Sequence, residues 1–144
     1  MTFFIPGTPR PGGSKSAFPM KSGKIAMVDA SGKAGKEWRK TAALIGQQAM
    51  ADKDPYKQPL KVSFWFFMPR PKKHFRINAR GTFLRDNAPR MHSIRPDTTK
   101  LIRSVEDALT GIVWEDDALI VQQHASKQYA AEDQVGCRVE VTCL

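Results

Sequence analysis

The clearest alternation in the chain runs from Leu60 to Met68. Leu60, Val62, Phe64, Phe66 and Met68 hold one parity and Lys61, Ser63, Trp65 and Phe67 the other, a period of two that predicts a strand. The second parity is itself half apolar. That predicts a central strand covered on both sides, or one whose outer face meets another subunit. The same period recurs at the end of the chain, where Val135, Cys137, Val139, Val141 and Cys143 alternate with Gly136, Arg138, Glu140 and Thr142. A further strand is expected over 119–130, joined to the last by a turn around Ala131-Glu-Asp-Gln. Thr2 to Ile5 reads as a short strand stopped by Pro6-Gly7, and residues 17–29 as a hairpin turning at Lys21-Ser-Gly-Lys.

Two stretches carry the helical period instead. In the first, roughly 33–50 after Ser31-Gly32, Trp38, Ala42, Ile45 and Ala49 form an apolar stripe, while Lys36, Arg39, Lys40 and the glutamines face water. The second runs from about Thr98 to Thr110 and stops at Gly111. Leu101, Val105, Ala108 and Leu109 share one face with Ile102 at its margin, and Lys100, Arg103 and Asp107 share another. Strands and helices in this mixture predict an α+β fold, a single domain over residues 1–144 with two helices packed on a mixed sheet.

Two segments resist either period. Residues 8–16, Thr-Pro-Arg-Pro-Gly-Gly-Ser-Lys-Ser, are turn formers made basic by Arg10 and Lys15, and read as a mobile loop or as a flexible arm along a phosphate backbone. Residues 69–94 read as a long irregular loop, which in a compact domain is usually functional or disordered. Arg70, Lys72, Lys73, Arg76, Arg80, Arg85 and Arg90 face only Asp86 there, with Phe75 and Phe83 interleaved to tack the loop to the body. This loop is the expected main phosphate-binding element.

Charge supports that expectation. Twenty-three Lys and Arg against 14 Asp and Glu give a net charge of +9, a balance that favours a polyanion such as nucleic acid as partner. The two cysteines are too few for a disulfide framework. Six apart on one strand, Cys137 and Cys143 share a face as small buried residues, their sulfurs about 20 Å apart and unable to share a metal. No secretory signal or membrane-spanning run is legible, so a cytoplasmic location is expected.

Against this basic background, acids stand at Asp97, before the second helix, and at Asp116-Asp117, beyond it. Carboxylates kept in a basic field suggest divalent ions meeting phosphates, since Mg²⁺ takes hard oxygen ligands and activates water for phosphodiester hydrolysis. Asp97 is equally a sound N-cap, and Asp116-Asp117 an acidic turn.

The run Arg95-Pro-Asp97, Lys100-Leu-Ile-Arg103-Ser-Val-Glu-Asp107-Ala-Leu-Thr-Gly111, Trp114-Glu-Asp116-Asp117-Ala-Leu-Ile-Val121 resembles the signature of RusA-type Holliday junction resolvases. That family shows an Asp-x-Asp-Asn segment, a basic residue on the following helix, Asp-Ala-Leu, and Asp-Asp before a strand. Ile5-Pro6-Gly7-x-Pro9 and a strand closed by Met68-Pro69 agree in order. The resemblance implies a homodimeric, Mg²⁺-dependent (alternatively Mn²⁺-dependent) endonuclease acting on four-way DNA junctions and related branched DNA. Its setting would be recombination and repair, or phage DNA processing, in a bacterial cell.

Matched residue by residue, Asp97 and Asp117 become metal ligands with Asp116 in support. Arg103 matches the basic helix residue, Lys100 stands beside it as a second charge stabiliser, and Asp107 becomes a structural residue paired with Arg103. Thr99 departs from the pattern: it stands where the family has its second aspartate, as Lys100 stands in place of the asparagine. Two rivals therefore remain, a non-catalytic branched-DNA-binding protein crippled at Thr99 and a basic structural protein without metal.

Overall fold

The computed structural model describes residues 1–13, 15–29, 31–131 and 134–144, and only the backbone at 15, 16 and 29. In chain order the elements are β1 (Thr2–Pro6), β2 (Lys15–Pro19), β3 (Ile25–Asp29), α1 (Gly32–Met50), β4 (Leu60–Met68), β5 (Phe75–Asn78), β6 (Gly81–Leu84), α2 (Thr98–Leu109), β7 (Ile120–Tyr129) and β8 (Gly136–Cys143). The main sheet has the order β1-β8-β4-β7. β4 pairs parallel with β7 and antiparallel with β8, and β8 antiparallel with β1, so the sheet is mixed and the fold α+β as expected. A parallel pair needs a long crossover. Here that crossover carries the β5–β6 hairpin and α2, and so brings Asp97 and Asp117 to the sheet.

The inner position of β4 explains its doubly apolar pattern. Leu60, Val62, Phe64, Phe66 and Met68 are buried in one core with Trp38 and Ala42 of α1 and Leu101, Val105 and Leu109 of α2. Each large side chain so buried contributes about 1.5–3 kcal/mol of hydrophobic free energy. On the opposite parity Ser63 is buried and Trp65 and Phe67 are half-buried. The Arg138 guanidinium covers them, its Cζ 4.6 Å from the Trp65 ring and 6.0 Å from that of Phe67.

Several expectations change. The buried line of α1 is Gly35, Trp38, Ala42, Gly46 and Met50, with Ile45 and Ala49 only half-buried. Gly46 is the reason: a Cβ there would sit 2.6 Å from Leu109 Cδ2, so the bare backbone is what lets α2 approach. Cys137 is buried as expected, but Cys143, at the strand's end, is exposed and its Sγ receives a hydrogen bond from Gln58 Nε2 at 3.1 Å. The turn expected at Ala131–Gln134 includes residues 132 and 133, which lie outside the described residues.

The segment 69–94 is not an irregular loop. It holds a 3₁₀ turn, Lys72–His74, and the antiparallel β5–β6 hairpin. The hairpin turns at Ala79-Arg80, where the Asn78 side chain accepts from the Arg80 N–H at 2.8 Å and Gly81 takes a positive φ of 129°. Its strands are almost wholly exposed, with Ile77 at 82%, so a buried-face alternation was never there to be read. Phe75 is half-buried, whereas Phe83 is exposed and does not tack the segment down.

Candidate active site

Asp97 occupies the N-cap position of α2 with extended backbone (φ −68°, ψ 140°), yet its side chain makes no capping hydrogen bond. The capping explanation therefore does not account for this carboxylate. It is 60% exposed and stands 3.8 Å from the Lys100 ammonium, itself 57% exposed, one helical turn on. Such an open pair contributes at most about 1 kcal/mol.

The chain before Asp97 is tightly held. Arg95-Pro96 is a cis peptide. Lys127, near the end of β7, sends its ammonium to the carbonyls of Ile94 at 2.6 Å and Pro96 at 2.5 Å. Upstream, the His92 N–H donates to the Lys127 carbonyl and the Tyr129 N–H to the Arg90 carbonyl, so residues 90–92 run along the open edge of β7. The N-terminal arm comes to the same place. Its Gly12 N–H donates to the Lys100 carbonyl at 2.7 Å, and a Cβ on Gly12 would lie 3.2 Å from the Ser104 nitrogen. With Pro9 and Gly12 buried, residues 9–12 are docked on α2 rather than free. A cleft of about 480 Å³ results, lined by Arg10, Arg95, Asp97, Lys100, Pro9 and Met68 among others. One carboxylate faces four cationic side chains when Lys127 behind it is included.

Asp116 and Asp117 lie beyond the C-terminal end of α2. Asp116 caps a 3₁₀ turn, Asp117–Leu119, its Oδ1 accepting from the Ala118 N–H at 2.8 Å, the acidic-turn role weighed above. Asp117 is exposed. The pKa of Glu106, near the C-terminal end of α2, is raised from its ordinary value, chiefly by burial and next by the charge of Asp117. Gln123 donates to Glu106 Oε1 at 2.5 Å, which ties the start of β7 to that end of the helix. Asp97 to Glu106 is nine residues, about 14 Å along the axis. The chain thus spreads its acids from the head of α2 to beyond its far end, and among the described residues no three His, Cys, Asp or Glu side chains gather around a common point.

The sequence model of the family described as Endodeoxyribonuclease RusA matches residues 6–142. The chain belongs to the RusA endodeoxyribonuclease family. Comparison with curated proteins finds no match. Membership implies Holliday junction resolvase activity and, as is general for RusA nucleases, dependence on a divalent metal.

The chemistry of Asp97 and Asp117 suits a hard divalent cation: both are exposed carboxylates, and Asp97 makes no capping hydrogen bond. Their number falls short of the family pattern, because Thr99, exposed on the first turn of α2, brings no charge. Arg103 and Asp107 are exposed, and among the described residues the ion pair of this helix joins Lys100 to Asp97 rather than Arg103 to Asp107.

The basic residues expected to bind phosphates also divide. Lys72, Lys73, Arg76, Arg80 and Arg90 are exposed around the hairpin, and Arg10 is exposed in the Asp97 cleft. Arg70 instead donates to the Pro89 carbonyl at 2.8 Å and lies 5.1 Å from the Tyr129 ring centroid. Arg85, though exposed, donates through Nε to the Phe75 carbonyl at 3.1 Å. These two brace the segment as well as charging it. The side chain of Lys15 lies outside the described residues. Sequence reasoning missed Arg95 as a cleft residue, although it stood in the motif. It also missed Lys127 and Glu106, whose roles exist only because β7 runs back along α2. Among the described residues, no helix is long and apolar enough to cross a membrane.

Proposed function

We propose that this RusA-family chain is a Mg²⁺-dependent endonuclease that resolves four-way DNA junctions and related branched DNA, in recombination and repair or phage DNA processing. The observation that carries the reading is the uncapped Asp97 carboxylate held in a cleft of cations at the head of α2. Asp97 and Asp117 are the ligand residues, supported by Asp116. Mg²⁺, for which Mn²⁺ can substitute, supplies an activated water and screens the leaving oxygen when bound. Lys100 and Arg103 on α2 offset the charge that grows on the phosphorus oxygens. Arg10 and the exposed cations of the hairpin segment hold flanking phosphates without reading bases.

Because Asp97 and Asp117 sit toward opposite ends of α2, the reading includes a homodimer in which Asp97 of one protomer and Asp117 of the other serve one ion. A two-fold protein also suits the two-fold symmetry of a four-way junction. The test is Mg²⁺-dependent cleavage of a synthetic junction by the parent, by Asp97→Asn, by Asp117→Asn, and by the two variants refolded together. Each variant alone is expected to lose at least about a hundredfold, and the mixed dimer, which regenerates one intact shared site, to recover activity. Undiminished cleavage by both single variants would discard the site assignment.

Thr99 favours a second reading, a branched-DNA-binding protein that does not cut. Tight junction binding without cleavage at any Mg²⁺ or Mn²⁺ concentration would select it.

A further inference from the structure

A second cleft, of about 720 Å³, opens on the other side of the 90–96 strap, between the β5–β6 hairpin and the ends of β4 and β7. Its volume lies within the roughly 300–1,000 Å³ typical of small-ligand sites. Phe67, Phe75, Leu84 and Tyr129 supply apolar walls, Arg70 and Arg90 the charge, and Gln128 an amide.

The floor is built rather than incidental. Tyr129 is buried, with the His74 ring edge-on to it at 4.8 Å and 85°, and the His92 ring at 4.8 Å and 60°. Arg70 lies across the tyrosine, 5.1 Å from its centroid, and is fixed by its hydrogen bond to the Pro89 carbonyl. A guanidinium so anchored is a flat cationic surface already in place, and bases stack on arginine planes and aromatic rings alike. The cleft also adjoins the Asp97 site. Tyr129 and Lys127 are two residues apart on β7, about 7 Å, and the strap from Arg90 to Asp97 is tied to both.

We infer that this cleft receives one unstacked nucleotide of the DNA strand adjacent to the cut. The base would lie among Phe75, Leu84 and the Arg70–Tyr129 pair, its edge would meet the Gln128 amide, and its phosphate would meet Arg90. Charge complementarity decides for a nucleotide over an apolar segment, since among the described residues both charged groups lining the cleft are cations and the hairpin that closes it carries Arg76 and Arg80. A pocket of this kind beside the scissile phosphate gives the enzyme a means of preferring one base near its cut. The inference builds on the reading of the chain as a DNA nuclease and assigns that reading a specificity site.

The test is a ¹⁵N–¹H NMR titration of the full chain with each of the four deoxynucleoside 5′-monophosphates and, separately, with inorganic phosphate. Saturable shifts at the Leu84, Arg90 and Gln128 amides are expected with at least one nucleotide and not with phosphate alone. Phe75→Ala should weaken that binding at least about fivefold, the low end for loss of a base–aromatic stack. Arg90→Gln, at an exposed side chain, should weaken it while leaving the spectrum otherwise folded. Absence of saturable shifts, equal shifts from phosphate, or shifts that follow protein concentration without nucleotide would each overturn the inference. The last of these would identify the cleft as a contact between copies. The titration needs neither metal nor cleavage, so a chain that bound the nucleotide but cut no junction would separate this inference from the reading it builds on.

Discussion

The Lys127 ammonium donates to the Pro96 carbonyl at 2.5 Å, which fastens the residue before Asp97 to the far end of β7. Its second bond, to Ile94 at 2.6 Å, brackets the Arg95-Pro96 peptide, so one strand side chain sets where the helix and its acidic N-cap begin. Burial lowers the Lys127 pKa and the charge of Asp97 raises it, which places the two groups in each other's field. Lys127→Met leaves two carbonyls without their charged donor, and a loss of about 1–3 kcal/mol is expected in urea unfolding. Junction cleavage should fall more than junction affinity, because Asp97 moves while the exposed cations of the hairpin do not. Equal falls in both would show that Lys127 only holds the fold.

Thr99→Asp is the gain-of-function counterpart. Position 99 is exposed on the first turn of α2, so an added carboxylate is tolerated there and interacts favourably with the helix N-terminus. The Mg²⁺ concentration giving half-maximal cleavage is expected to drop several-fold. An unchanged or increased requirement would mean that the site works with the carboxylates it has.

The hairpin cations should announce themselves through salt. Arg76 and Arg80 are exposed on β5 and its turn, and neither supports the fold through a side-chain bond among the described residues. Replacing either with Gln should weaken binding similarly across DNA sequences and reduce the slope of log K against log salt by about one. Stability in urea should stay within about 0.5 kcal/mol of the parent. A slope unchanged by both substitutions would take the hairpin off the DNA.

Acid should loosen the strap beside the active site. His74 and His92 are both buried against Tyr129 and both have pKa values below the ordinary 6.5. In each case burial is the main cause, followed by Arg70 and Lys73 for His74 and by Lys127 for His92. A histidine whose folded pKa is depressed binds its proton more readily when unfolded. Its contribution to stability is therefore complete above about 6.5 and is lost as the pH falls from there through the folded pKa. Urea midpoints measured from pH 7.5 to 5 should decline below about 6.5, and the His74→Gln, His92→Gln double variant should flatten that decline. A midpoint that held steady or rose on acidification would contradict this sign.

Much of the molecule was legible in the chain itself. Periodicity alone found β4, β8 and the apolar face of α2, because a side chain's direction on a strand or helix is fixed by local geometry. The family signature lay in residues 95–121, and the motif kept Asp97, Arg103 and Asp117 in their order along the chain. Other features were not local properties. No residue of 75–84 is buried enough to leave a pattern, so the β5–β6 hairpin depended on an Asn78 side-chain turn and a left-handed Gly81. Gly46 became a contact only when α2 crossed it, and Gly12 a docking point only when the arm reached Ser104. Most consequential is the parallel pairing of β4 with β7, which sends β7 back along α2. That pairing brings Lys127 to Asp97 and Gln123 to Glu106, and leaves Asp117 near the other end of the helix. Spacing along a chain can place acids in order, but the distance between their carboxylates is set by how the strands close around them.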